Sequence, residues 1–376
     1  MKTKKVTLDL ETILPLCINT WRKFRKEGGP SDHLQTREFR GVVEAIQLLH
    51  SGLHEDKSLV GKDYFEKPEL LGAYLLYNWV ISYQQGMSLI AELPNPPKRV
   101  LDLCSGSISF GLAAMRHGAS ELYALDRNEQ ALMLGAEICG KLGYPVNIRK
   151  ADCLRPTLPV EGHFDLIIIG HALDELFPTT QKDWKNKQQF FLKSLLNRLT
   201  PDGYLLLVEN SFSEANKRIL EIREQLIQLG APVQAPCVWK GECPALQTPN
   251  SPCYAQREYE KPNLLKQIQR AAEINLSSLK MTYIIFKSPQ AAWPQLPETP
   301  LFRIISPPVE SHHGKSYYLC GTEGKKKINS RMKVHPKESR AFDFLKRGEL
   351  ISINHAVDTR NGLEIVEGTT MLLQYC

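Results

Sequence analysis

Apolar positions in the first 95 residues recur at helical spacing. Phe39, Val42, Val43, Ile46, Leu48 and Leu49 fall on one helical face, and the stretch from Glu69 to Leu93 sustains a second long helical pattern. The run PNPPKR then breaks it. From Arg99 the period changes. Short apolar runs from Val100 to Leu103, Glu121 to Leu125, Val146 to Lys150, Phe164 to Ile169 and Gly203 to Val208 read as strands. Helical patterns separate them, one running through Met115, one from Glu129 to Lys141 and one from Gln188 to Leu199. The run at Phe164 is strongly apolar, as expected of a strand buried on both faces. A further helix is expected from Ser213 to Leu229, and a later strand of the same sheet from Met281 to Lys287.

Strands alternating with helices predict a parallel sheet with right-handed crossovers, so the fold class is α/β. After residue 300 the pattern shortens. Strands near Arg303 to Ile305, Tyr317 to Leu319, Leu350 to Ile353 and Met371 to Gln374 predict a small β-rich unit around one helix. The expected organisation is a helical region over 1–95, an α/β domain over 96–298 with a cysteine loop inserted at 231–257, and a small basic β-rich domain over 299–376. No repeat or low-complexity tract interrupts it.

Composition narrows the setting. Apolar residues make up 42% of the 376, enough for a sizeable core. No apolar run reaches the ~18 residues of a membrane span. The start, MKTKKVTLDLETILPL, mixes lysines with acids, unlike a signal or transit peptide. Nine cysteines, an odd number, then point to a reducing cytoplasm, where thiols serve metals rather than disulfides. The net charge of +6 is concentrated: residues 310–347 hold ten Lys or Arg against four Asp or Glu, leaving 37 of each sign elsewhere. Such a strip is either a solvated lysine-rich loop or the footprint of a nucleic-acid contact. Its RNA-contact candidates are Lys325, Lys326, Lys327, Arg331, Lys333, Lys337 and Arg340, with Lys346 and Arg347 beyond them. DNA binding has less support, because no helix-turn-helix or zinc-finger spacing occurs.

Four cysteines form the most specific pattern. Cys237, Cys243 and Cys253 lie in APCVWKGECPALQTPNSPC, spaced C-x5-C-x9-C, and Cys320 follows after 66 intervening residues in YYLCGTEGKKK. Thiolates hold soft metals, so the readings are a four-thiolate iron–sulfur cluster or a structural zinc. The alternative is a set of unrelated buried thiols. Cys17, Cys104, Cys139, Cys153 and Cys376 are expected to be dispensable for metal.

Ligands of open α/β sheets bind beyond the carboxyl ends of the strands. That edge collects Asp102, Ser105, Gly106, Asp126, Asp152 and His171. The turn DLCSGSISFG has small residues that admit a ligand to the backbone. Asp126 can accept both hydroxyls of a ribose, and Asp152 can meet an adenine amino group. The G-x-G-x-x-G of NADH enzymes is absent.

This arrangement resembles the class I S-adenosylmethionine (SAM) methyltransferases, whose first motif is usually D/E-x-G-x-G-x-G. The chain keeps Asp102 and Gly106 but has Cys104 and Ile108 at the flanking glycine positions, where Ile108 would crowd the methionine part of the ligand. The fourth strand runs into GHALDEL, and His171, Asp174 and Glu175 are the candidates for orienting a nucleophile. Asp174 and Glu175 equally suit the start of a helix. The Pro-Pro-aromatic signature of amino-methylating enzymes is missing.

The combination of this core with the cysteines looks like the Rsm-twenty-two family, relatives of methyltransferase-like protein seventeen. The resemblance runs from about residue 70 to about 350, through AYLLYNWVISY, VLDLCSG, GHALDEL, APCVWKGECP, SPCYAQR and YYLCGTEGKKKINSR. It implies a [4Fe–4S] cluster on Cys237, Cys243, Cys253 and Cys320, SAM as a second cofactor, and association with the small ribosomal subunit and its RNA during assembly and translation. The family often has Pro-His after its first cysteine, where this chain has Val238-Trp239, and the third-cysteine segment also departs at Tyr254 and Gln256. Two readings follow: an RNA-gripping assembly factor, monomeric when free, and an active SAM-dependent RNA methyltransferase. The eroded glycines and missing catalytic signature favour the first.

Overall fold

The protein is described by a computed structural model over residues 9–155, 157–248, 251–312, 314–360 and 362–374. Helices α1 (Leu10–Phe24), α2 (Thr36–His50), α3 (Pro68–Ala73) and α4 (Trp79–Ile90) come first. They are followed by β1 (Arg99–Leu103), α5 (Ser109–Arg116), β2 (Glu121–Asp126), α6 (Glu129–Lys141), β3 (Asn147–Lys150) and β4 (Phe164–Gly170). Next come α7 (Leu173–Leu176), α8 (Trp184–Leu196), β5 (Leu199–Glu209) and α9 (Ser213–Gln228). Then follow β6 (Val233–Ala235), α10 (Pro244–Gln247), β7 (Ala255–Arg257), α11 (Asn263–Ala271) and β8 (Leu279–Lys287). The last stretch holds β9 (Leu301–Ile304), β10 (Val309–Ser311), β11 (Gly314–Gly321), β12 (Gly324–Asn329), α12 (Pro336–Ser339), β13 (Leu350–Thr359) and β14 (Gly362–Gln374).

Local chemistry sets several of these limits. The side chains of Gln35 and Glu38 form a capping box at the start of α2. Pro68 opens α3, where a missing N–H costs nothing. Asn128 caps α6 by accepting the Ala131 N–H at 2.9 Å. A π turn, Tyr74–Asn78, joins α3 to α4. Several elements differ from expectation. Helix α8 stops at Leu196, and Leu199 opens β5 instead, because an apolar residue at the end of a helical pattern fits either period. Helix α11 lies in a stretch to which the sequence pattern assigned nothing.

The α/β sheet has the order β3-β2-β1-β4-β5-β8-β6, with β7 on β8. Strand β1 is parallel to β2 and β4, β2 is parallel to β3, and β6 is antiparallel to β8. This is a class I methyltransferase-like sheet. Its order reverses beside β1, so the ends of β1, β2 and β4 open onto one crevice.

The chain folds as two compact units. One runs to Leu205 and includes Glu258–Leu279, and the other holds Leu206–Arg257 and the residues from Lys280 onward. The N-terminal helices thus share a unit with β1 to β4. Gly86 of α4 shows why: a Cβ there would come within 2.9 Å of the Ala113 Cβ in α5. The glycine lets the two helices pack in direct contact.

In the second unit, β10-β11-β12-β14-β13-β9 form a sheet, and β9 also pairs with β11. Five strands therefore close into a ring. Phe302, Ile304, Tyr317, Leu319, Ile328, Ile351, Ile353, Leu363 and Ile365 fill it, with Phe342 from the 3-10 turn Arg340–Asp343 after α12. The β-rich unit around one helix is as expected. Strand β12 was not foreseen: its sequence, GKKKIN, is charged and lacks alternation.

Candidate functional site

In the first unit a cavity of about 480 Å³ opens at the carboxyl ends of the parallel strands. Gly106, Asp126, Asp152, His171 and Glu175 line it. Asp102, Ser105 and Asp174 do not. Asp102 is 1% exposed and turned into the fold, where its carboxylate accepts the Gly111 N–H at 2.9 Å. Ser105 is held against β2, its N–H donating to the Leu125 carbonyl at 3.1 Å. Asp174 sits in the first turn of the short helix α7.

The loop from Cys104 to Ile108 has an informative backbone. Cys104, Gly106 and Ile108 have φ of 53°, 49° and 64°. These are the three glycine positions of the family motif, and all three keep the left-handed conformation that favours glycine. Two non-glycine residues adopt it at a cost, highest for the β-branched isoleucine. Side chains hold the loop in place of glycine freedom. Asp126 accepts the Gly106 N–H at 2.9 Å and the Asn128 N–H at 2.9 Å. The Trp79 indole donates to the Ser107 carbonyl at 2.7 Å. The expectation that Ile108 crowds the ligand is overturned. Its side chain lies against Gly111 and Gly135, where an added Cβ would come within 2.8 Å of it, and it does not line the cavity. Cys104 does line it, together with Cys153.

The other wall was not legible in the sequence. Residues 61–65 border the cavity, and Tyr74 joins them from the π turn. Arg127 donates to the Gly61 carbonyl at 3.3 Å and the Lys62 carbonyl at 2.5 Å. The Tyr64 hydroxyl donates to Glu175 at 3.1 Å. Burial pushes the Glu175 carboxyl up to about 7, against the pull of Tyr64 and Arg127. Burial pushes the His171 imidazole down to about 4, so it is neutral. Its Nε2 lies 2.7 Å from the Gln85 side-chain oxygen, which can only accept, so the proton is on Nε2.

Asp102, behind the loop, gives a pH test of the fold that supports the cavity. Burial raises its carboxyl to about 8, from an ordinary 3.8. Across that window the folded chain keeps a proton that the unfolded chain has released, so stability falls as pH rises. Asn keeps the acceptor for Gly111 but cannot ionise. Asp102→Asn is expected to melt near wild type at about pH 5 and several degrees higher at about pH 8. A variant that melts lower at both pH values would show that the carboxylate itself is needed.

In the second unit, Cys237, Cys243, Cys253 and Cys320 line a separate cavity of about 30 Å³. That is room for a compact inorganic group and too little for an organic cofactor. The chain around Cys237, Cys243 and Cys253 is held by side chains. Glu224 accepts the Cys243 N–H at 3.1 Å. Asn216 accepts the Cys253 N–H at 3.3 Å and donates to the Cys253 carbonyl at 2.6 Å. Arg303 donates to the Pro236 carbonyl at 2.9 Å, and Arg223 to the Trp239 carbonyl at 2.7 Å. Cys320 sits on β11 between Arg303 of β9 and Lys325 of β12. Arg223 and Arg303 both line the cavity, and Arg223 Nε is buried with no hydrogen-bond partner among the described residues. Burial and the neighbouring thiols raise Cys253 and Cys243, and push Cys320 up to about 12. Among the described residues, no group of three or more His, Cys, Asp or Glu is set to hold a metal ion. Cys17 and Cys139 are core thiols, and Cys376 lies outside the described residues.

The basic strip is less uniform than its sequence. Lys326 pairs with Glu323 at 2.6 Å and Asp358 at 2.5 Å, and Arg331 pairs with Glu364. Lys333, Lys337, Arg340 and Lys346 are exposed. Arg347 is not available to a partner: it is 7% exposed, with its guanidinium 3.5 Å from the Tyr254 ring centre.

Three known proteins and one family model are similar to parts of this chain. The ribosomal protein L11 methyltransferase of Symbiobacterium thermophilum is 28% identical over 113 residues, 29% of this chain and 36% of that protein, so the match spans about a third of its length. Among solved structures, ribosomal protein L11 methylase from Lactobacillus delbrueckii subsp. bulgaricus is 19% identical, covering 41% of this chain and 69% of its own, with a TM-score of 0.31. N-methyltransferase NodS from Bradyrhizobium japonicum, in complex with S-adenosyl-L-homocysteine, is 13% identical, covering 55% and 85%, with a TM-score of 0.34. A family model, described as mitochondrial small ribosomal subunit Rsm22, matches residues 87–347. That span takes in the parallel strands, the loop at Gly106 and all four cavity cysteines, and by it the chain belongs to the Rsm22 family.

Proposed function

We propose that this protein is a cluster-bearing, SAM-binding assembly factor that grips the RNA of the small ribosomal subunit in a reducing cytoplasm. The observation that carries the reading is the cysteine cavity. Two chain segments, 66 residues apart in sequence, bring four thiols and two buried guanidiniums around one small space. Four thiolates carry excess negative charge, and Arg223 and Arg303 offset it. Four thiolates also suit a structural zinc, the alternative to the cluster. When bound, the cluster would hold the cysteine loop and β11 together.

For SAM, the proposal gives Asp126 the ribose hydroxyls and Asp152 the adenine; it is supported by both carboxylates lining the cavity. A second reading, methyl transfer to RNA, has one supporting observation: His171 and Glu175 share the cavity with the SAM candidates. Family membership supports the ribosomal partner, and the strip at Lys325 to Arg340 supports an RNA contact.

The test is anaerobic purification followed by measurement of iron, acid-labile sulfide and zinc. SAM binding by calorimetry and retention of small-subunit RNA across a salt series complete it. Iron and sulfide in equal amounts, heat with SAM, and RNA affinity that falls steeply with salt are expected. Zinc alone at one per chain would replace the cluster, and no RNA retained at low salt would remove the assembly role.

A further inference from the structure

The ring of five strands in the second unit has a defined connectivity. Numbered in order of appearance, β9, β11, β12, β13 and β14 neighbour one another as 1-2-3-5-4-1. The third and fifth, β12 and β14, are parallel, and the other pairs are antiparallel. Helix α12 and the turn Arg340–Asp343 lie between the third and fourth strands and send Phe342 into the interior. This is the connectivity of the OB fold, a small barrel whose second and third strands present a face to oligonucleotides. Fold alone does not assign a ligand, so the residues on that face must.

Strands two and three are β11 and β12. Across them, Tyr318 stands opposite Lys327, and Cys320 opposite Lys325. Opposed residues of an antiparallel pair share a face. Tyr317, Leu319 and Ile328 point into the barrel, so Tyr318, Lys325 and Lys327 point outward. Tyr318 is 38% exposed, and the Lys325 ammonium lies 4.8 Å from its ring centre. Lys326 has the opposite parity and is already engaged by Glu323 and Asp358. The outer face thus offers one exposed aromatic ring beside two cations, of which the Lys325 ammonium also donates to the Ser251 hydroxyl at 3.2 Å.

We propose that this face binds an unpaired RNA nucleotide, its base stacked on Tyr318 and its flanking phosphates on Lys325 and Lys327. The inference rests on the RNA-binding reading above and narrows it to single strands. Bases in an A-form duplex are already stacked, and their major-groove edges are out of reach of side chains. Only an unpaired base offers a free π-face to the ring. The long lysine stem lets the Lys325 ammonium move to a phosphate without disturbing the barrel.

The experiment uses the full chain and a fluorescent oligoribonucleotide, offered single-stranded or annealed to its complement. The single strand should bind more tightly. Tyr318→Ala should weaken single-strand binding roughly 5- to 150-fold, with little effect on the duplex. Tyr318→Phe keeps the stacking surface and should stay close to wild type. Lys327→Gln should reduce the slope of log affinity against log salt by about one. Phe190→Ala, an exposed aromatic on α8, is the control and should change nothing. Melting curves separate loss of binding from loss of fold. Unchanged single-strand affinity in a folded Tyr318→Ala variant, or equal binding of duplex, would overturn the proposal. So would a Tyr318→Ala variant that binds RNA normally but loses an RNA-free ribosomal protein, which would make this face a protein contact. A wild-type chain that binds neither form would instead remove the RNA reading on which the proposal rests.

Discussion

Cys253→Ser is expected to abolish the visible absorbance of anaerobically purified protein and to lower its melting temperature by about 10 °C. Cys253 lines the cavity, with its backbone held at both ends by Asn216. Serine offers a harder and shorter donor, so a four-thiolate cluster loses one corner. Structural metal sites contribute binding energy directly to folding. Losing several kcal/mol of it, at about 2–4 °C per kcal/mol, gives a shift of that size. Cys237→Ser, Cys243→Ser and Cys320→Ser should behave alike. Cys17→Ser, Cys104→Ser, Cys139→Ser and Cys153→Ser should keep the colour, whatever they do to packing or to the other cavity. Calorimetric melts with iron analysis measure both quantities. Unchanged colour and melting in Cys253→Ser would rule the site out.

Asp126→Ala should weaken SAM binding by about one to two orders of magnitude. The carboxylate is the acceptor proposed for the ribose, and a hydrogen bond to a charged group is worth about 1.5–3 kcal/mol, or roughly 10- to 150-fold. The substitution also removes the acceptor for the Gly106 and Asn128 N–H groups. The loop at Cys104 to Ile108 would then lose its clamp as well as its ligand contact. Titration calorimetry reads the change. Asp126→Asn should fall between the two, since it keeps an acceptor oxygen but no charge. Wild-type protein that gives no heat with millimolar SAM would mark the cavity as one that has lost its ligand.

The parallel strands were legible because apolar runs bounded by turns leave few alternatives; β2 and α6 lie where the pattern put them, within a residue. The cysteine spacing was legible as a metal-type pattern because thiols are rare. What holds those thiols was not. Asn216 and Glu224 sit on α9 and read as ordinary polar positions of a helix. Arg223 and Arg303 carry charge into a buried place, and no local pattern announces that. The wall at Gly61 to Phe65 comes from an irregular segment, whose placement depends on Arg127 and Glu175 far along the chain. The motif at Asp102 was misleading in a physical way. Missing glycines suggested a damaged site, yet the backbone keeps their conformation at Cys104 and Ile108 through tertiary clamps. Three lysines in a row hid strand β12, because charge obscures alternation when the partner strand supplies the pairing.

The position of Cys320 on β11 sets an order of events during synthesis. Cys237, Cys243 and Cys253 leave the ribosome together, but Cys320 emerges 67 residues after Cys253. At ordinary elongation speeds that is a delay of roughly 3–13 seconds. Even then the fourth thiol is not in place until β9 has paired with β11. The nascent chain therefore passes through a stage with three ready thiols and no fourth, when an oxidant or a stray soft metal could capture the loop. Insertion of a cluster would act as a completion signal, possible only once β9 and β11 have been made and paired.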